Sequence, residues 1–237
     1  MGWSLKAHTI YTGGGGSGGG TSPSMNTTGA DIIILNLSAY NSASGITVSD
    51  SKSCTWHPLM SQSNNLGTGE YNQIFYASQG ADSGTFAVGA GHTFTASGSN
   101  MYCSFEIAAY SGSDTTADPL DKQTGSAQSV YGSVTDGPIT PTNNGALIVH
   151  GTCDDSGASA DTFAASDGTT ITQTDCQVIA AGILGGVFGW GVQTTAAAIS
   201  STATQNNGPS VYHAASTIAS FNPTAVAPDT LLGQAVL

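Results

Sequence analysis

The chain has 237 residues, of which only 8% are charged, and its 15 acidic against 3 basic side chains give a formal net charge of −12. Three lysines (Lys6, Lys52, Lys122) and no arginine exclude nucleic acid as a partner, because phosphate counterions are displaced by cations, and they argue equally against docking on anionic membranes. Apolar residues make up 39% of the chain in clusters far shorter than a membrane span, which points to an ordered all-β protein with a neutral, hydroxyl-rich surface rather than a disordered chain.

The N-terminal residues show Lys6 and then glycine, without the apolar core of a signal peptide. The expectation is a chain that stays inside the cell until release, as virion proteins do, or a trimmed precursor. Trp3 to Tyr11 alternates and predicts a first strand. Gly13 to Gly20, broken only by Ser17, reads either as a flexible linker or as an ordered loop packed where no side chain fits. Asn26-Thr27-Thr28-Gly29 is a turn into the strand Asp31 to Tyr40. Its continuous run Ile32 to Leu35 fits a strand covered on both sides.

Ile46 to Val48 and Cys54 to Leu59 are the next predicted strands, with Trp56 as the anchor of the first core. Ser61 to Gly69 reads as a polar loop. Tyr71 to Ala77, His92 to Ala96 and Met101 to Tyr110 follow as strands, with a short pairing expected near Thr85 to Val88 and a turn at Ser97 to Asn100. No segment carries a capped apolar stripe of helical period.

Ser111 to Gln128 reads as a polar bridge, after which the order returns. Ser129-Val130-Tyr131 matches the first strand. Asn143-Asn144-Gly145 turns into Ala146 to His150, as Thr27-Thr28-Gly29 turns into Asp31 to Tyr40. Asp167 to Thr172 echoes Asp50 to Leu59. Gly185 to Val192, with Trp190 as second anchor, echoes Tyr71 to Ala77, and Val211 to Phe221 echoes Tyr102 to Tyr110. The division is residues 1–20 (strand and Gly-rich segment), 21–118 and 119–224 (the two β-sandwich repeats) and 225–237 (a C-terminal arm). The architecture expected is one antiparallel jelly-roll-like β-sandwich built from two sequence-related halves, with two tandem small β-sandwich domains as the alternative.

Candidate chemistry is sparse. Acid–base hydrolysis of a glycoside needs paired carboxylates, and the two glutamates, Glu70 in a predicted loop and Glu106 in the closing strand, are not brought together by their positions. No GxSxG elbow is present, and His8, His57, His92, His150 and His213 are scattered on predicted strands, where a structural role is expected. No enzyme is expected. Asp114, Asp118 and Asp121 form one loop cluster of acids; Asp154, Asp155 and Asp161 form another and are the better calcium candidates, since calcium takes hard oxygen ligands from loops. No other cofactor is expected. Trp3, Tyr40, Tyr76 and Tyr110 are the aromatics that would stack on sugar rings in a glycan-binding reading. Asn26 and Asn36 begin glycosylation sequons by pattern. Cys54 and Cys103 fall in one half and Cys153 and Cys176 in the other, so the choice lies between one disulfide per half and small buried thiols. Leu231, Leu232, Val236 and Leu237 make the C-terminal arm apolar and are the expected partner contacts.

The series Asn26-Thr27-Thr28-Gly29-Ala30-Asp31-Ile32-Ile33-Ile34, then Val48-Ser49-Asp50-Ser51-Lys52 with Thr55-Trp56, then Gln73-Ile74-Phe75-Tyr76, Gly91-His92-Thr93-Phe94-Thr95-Ala96 and Ile107-Ala108-Ala109-Tyr110-Ser111-Gly112 resembles a diffuse class of β-sandwich proteins. Its members are encoded by tailed phages and occur among bacterial surface and secreted proteins. The resemblance covers residues 21–125 well and the second half more weakly. Its motifs are turns, strands and anchors, so no catalytic residue is carried over. Phage members imply a capsid decoration, head-fibre or tail-appendage subunit on the virion surface, with a major capsid or tail protein and further copies of the chain as partners. Bacterial members imply an extracellular or cell-surface adhesive module that binds glycans.

Overall fold

The computed structural model describes residues 2–13, 18–40, 44–64, 69–99, 101–131, 133–154, 162–179, 184–204 and 211–225. The first half contains β1 (Ser4–Thr12), β2 (Gly19–Thr21), β3 (Ile32–Tyr40), β4 (Ser44–Asp50), β5 (His57–Pro58), β6 (Gln62–Asn64), β7 (Glu70–Ser78), β8 (Phe94–Ser99) and β9 (Tyr102–Ser111). The second contains β10 (Leu120–Tyr131), β11 (Ser133–Ile139), β12 (Ala146–Asp154), β13 (Thr162–Ala165), β14 (Thr172–Ile179), β15 (Leu184–Gln193), β16 (Ile199–Thr204) and β17 (Val211–Phe221).

Each half builds its own pair of antiparallel sheets. The first has a large sheet in the order β1-β9-β3-β7-β5, with β6 also on β7, and a small sheet β2-β8-β4. The second repeats the order, β10-β17-β12-β15-β14 and β11-β16-β13. Among the described residues no sheet mixes strands of the two halves, so the arrangement is two tandem sandwiches, one per half.

Three apolar layers hold four sheets in a stack. Ile33, Leu35, Leu37, Phe105 and Ile107 of the first large sheet pack against Phe94 and Ala96 of the small one. Ile148 and Ile218 pack against Ile139 and Ile199 in the second sandwich. Between the sandwiches, Ile32, Ile34, Ile74, Tyr76 and Tyr110 meet Leu147, Val149, Phe188, Ala219 and Phe221. This middle layer explains why Ile32 to Leu35 runs apolar without alternation: β3 is central in a sheet with both faces buried, so both faces must be apolar. Ala146 to Val149 is continuous for the same reason.

The repeated turns have one geometry. Gly29 and Gly145, each just before a central strand, adopt φ of +79° and +77°, a conformation glycine takes without a Cβ clash. In the first copy Asn26 Oδ1 accepts from Thr28 N at 3.1 Å and Thr28 Oγ1 at 2.7 Å, closing an Asx turn.

Several elements depart from the expectations. The bridge between copies is shorter, because Leu120 already starts β10. Of Cys54 to Leu59 only His57–Pro58 joins a ladder. The backbone before it is instead captured by Asp50, which accepts from Lys52 N and Cys54 N, with Ser53 at φ +63°. Gln62–Asn64 pairs with β7, and Glu70 opens that strand rather than lying in a loop. The expected turn at Ser97 is strand through Ser99, and Thr85 to Val88 carries none. The described ends of the glycine run are packed: a Cβ on Gly13 would lie 2.1 Å from Cys103 O, and one on Gly20 would lie 2.0 Å from the Tyr11 ring. That is the ordered reading of those residues.

The stack has polarity. Ser4 pairs with Ser111, Gly112 lies against the Gly2 backbone, and Thr224 N donates to Gly112 O at 2.7 Å. Residues 2 and 225 therefore leave from the same end. Strands β3 and β12 both run away from that end, and β9 and β17 both return to it.

Candidate functional site

Two of the five histidines, His92 and His150, are held in buried hydrogen-bond chains. His92 Nε2 lies 2.8 Å from Asp50 Oδ1, and its Nδ1 lies 3.0 Å from Thr27 Oγ1. A carboxylate can only accept, so Nε2 carries the hydrogen and Nδ1 faces the hydroxyl. In the second sandwich His150 Nε2 lies 3.2 Å from Asp136 Oδ2, and Nδ1 lies 2.8 Å from Ser201 Oγ. These are hydroxyl–histidine–carboxylate chains of the kind that activates a nucleophile. Here Thr27, His92, His150 and Ser201 have no exposed surface, so neither hydroxyl is open to a substrate. Each chain instead ties separate segments together: the turn before β3 to the ends of β4 and β8, and β11 and β12 to β16.

Asp50, Cys54 and His92 also bring one carboxylate oxygen, one sulfur and one imidazole nitrogen within 4.8 Å of one another. The donor set suits zinc, but its lone pairs are already engaged. Asp50 accepts from Lys52 N, Cys54 N, Trp56 Nε1 and His92 Nε2. Cys54 Sγ bonds the Ala87 backbone, and burial pushes its thiol up to about 11, away from the thiolate that binds metal. The residues present form a closed hydrogen-bond network.

The calcium candidates are not resolved into a site. Asp154 is the last residue of β12 and is fully buried, not a loop ligand; Asp155 and Asp161 lie outside the described residues. In the other acidic cluster each member has a local task. Asp114 Oδ1 caps Thr116 N, Asp118 accepts from the Tyr76 hydroxyl at 2.9 Å, and Asp121 accepts from Thr142 N. Leu231, Leu232, Val236 and Leu237 also lie outside the described residues.

The four aromatics expected to stack on sugars do not present a shared face. Tyr76 is 2% exposed and Tyr110 is fully buried, both in the layer between the sandwiches. Trp3 packs at the edge of that layer, its Nε1 donating to Gly145 O at 2.8 Å. The side chain of Tyr40 lies outside the described set. Asn36, the second sequon asparagine, is buried with Nδ2 donating to Glu106 Oε2, closed to glycosylation. Cys54, Cys103 and Cys153 are free thiols. The side chain of Cys176 lies outside the described set.

What the sequence reading missed is a cleft of about 610 Å³ at the end of the second sandwich where β15 finishes. The turn after β13, the start of β14 and the last residues of β15 form its walls. Trp190, Gln193, Asp167 and several threonines are among the residues that line it. Trp190 was legible as an anchor, but its neighbours come from separate segments with no shared spacing.

No protein-family model matches the chain, and neither a curated protein nor a solved structure matches it.

Proposed function

We propose that the chain is a non-enzymatic structural protein displayed on a virion surface, as a capsid decoration, head-fibre or tail-appendage subunit. The observation that carries the reading is the polarity of the four-sheet stack. Two sandwiches fastened face to face by an apolar layer make a rigid block, and residues 2 and 225 both leave at one end of it. A block attached at that end holds its opposite end away from a particle. The composition suits such a place: sparse in charged residues, acidic on balance, hydroxyl-rich and, among large apolar side chains of the described residues, exposing only Met60.

The strand order supports the same reading. Counting β5 and β6 as one, the large sheet takes strands in the order 1-8-3-6 with the fifth at its edge, and the small sheet takes 2-7-4. This order resembles that of a jelly roll with its fifth strand moved to the larger sheet, and jelly rolls occur in viral capsid and lectin domains.

Mass spectrometry of purified particles tests the proposal. A fixed, high copy ratio to the major capsid protein is the expected result. Absence from particles, with the chain recovered from cell-surface or secreted fractions, overturns it.

A further inference from the structure

We draw no further inference here: the strongest candidate, the hydroxyl-bearing outer face of the small sheet β2-β8-β4, where Thr21, Thr95 and Ser49 stand in one cross-strand row, is what the solvated face of an antiparallel sheet ordinarily carries, and nothing in the structure shows what covers it.

Discussion

Asn36 and Gly151 meet where the two sandwiches join: a Cβ on Gly151 would lie 2.0 Å from Asn36 Oδ1. Asn36 is otherwise fully committed, accepting from Asn72 Nδ2 at 2.8 Å and donating to Glu106 Oε2 at 3.0 Å. It cannot move aside without breaking buried bonds. Gly186 stands in the same relation to Ser38, whose Oγ donates across the junction to Thr152 O at 2.9 Å. The junction is thus apolar towards one end and hydrogen-bonded at the other, with glycines making room for the polar part. Gly151→Ala should destabilise the protein by about 1–3 kcal/mol, the usual cost of overpacking. Gly84→Ala, where a Cβ meets nothing within 4 Å, should change stability by less than about 0.5 kcal/mol. Urea unfolding of the two variants checks the contrast.

Asp50 gathers four donors, and its side chain has no exposed surface. Burial pushes its carboxyl upward, but the bonds from His92, Trp56 and Lys52 N together outweigh burial and hold it below 3.8. Asp121 and Asp167 are lowered against burial in the same way, and Asp114 is lowered chiefly by Thr116 N. A carboxyl depressed on folding contributes stability above its unfolded value and loses it as pH falls through the folded one. The urea midpoint should therefore hold steady on the acid side down to about pH 4, the unfolded carboxyl range, and drop below it. Asp50→Ala should lower stability at pH 7 by about 3 kcal/mol, because it strands a buried histidine and several donors. The variant should show a shallower acid transition than the parent.

The fold was legible where local pattern and tertiary demand coincide. Ile32 to Leu35 announces a strand buried on both faces, and its return at Ala146 to Val149 announces the repeat. What stacks on what was not legible. A central strand reads the same whether its second face meets a helix, a sheet of its own unit or a second sandwich. For that reason Tyr76 and Tyr110 read as sugar platforms yet line the middle layer. Glu70 and Asp154 read as loop acids because their neighbours are polar, but each sits at the end of a buried strand. Gln193 gave no signal, since its environment is assembled from Asp167 and Ala197 on other turns.

The cysteines answer differently from what pairing within each half would give. Cys54 and Cys103 are both free. Burial pushes the Cys54 thiol up to about 11 and that of Cys103 up to about 12, and it raises Cys153 well above its ordinary value. The thiolate is the nucleophile, so all three should react slowly with iodoacetamide at pH 8 in the folded protein and rapidly in 8 M urea. Peptide mass spectrometry of pulse-labelled protein reads each position separately. Fast native labelling of Cys103 or Cys153 would contradict their burial.

The C-terminal segment separates assembly from folding. Among the described residues, Thr224 is the last tied into the stack, through its N to Gly112 O and its Oγ1 to Ser113 O at 2.7 Å. Deleting residues 226–237 leaves those bonds and every described strand in place, so the urea midpoint should shift by less than about 0.5 kcal/mol equivalent. The same deletion removes Leu231, Leu232, Val236 and Leu237, the apolar residues expected to contact a neighbour on the particle. Occupancy on particles should then fall to background while the protein stays folded and soluble. Unchanged occupancy would rule out the arm as the attachment and move the search to β1 and β10, the edge strands of the large sheets among the described residues, since an edge strand can pair with a neighbouring chain. Loss of both occupancy and stability would instead show that the segment belongs to the fold.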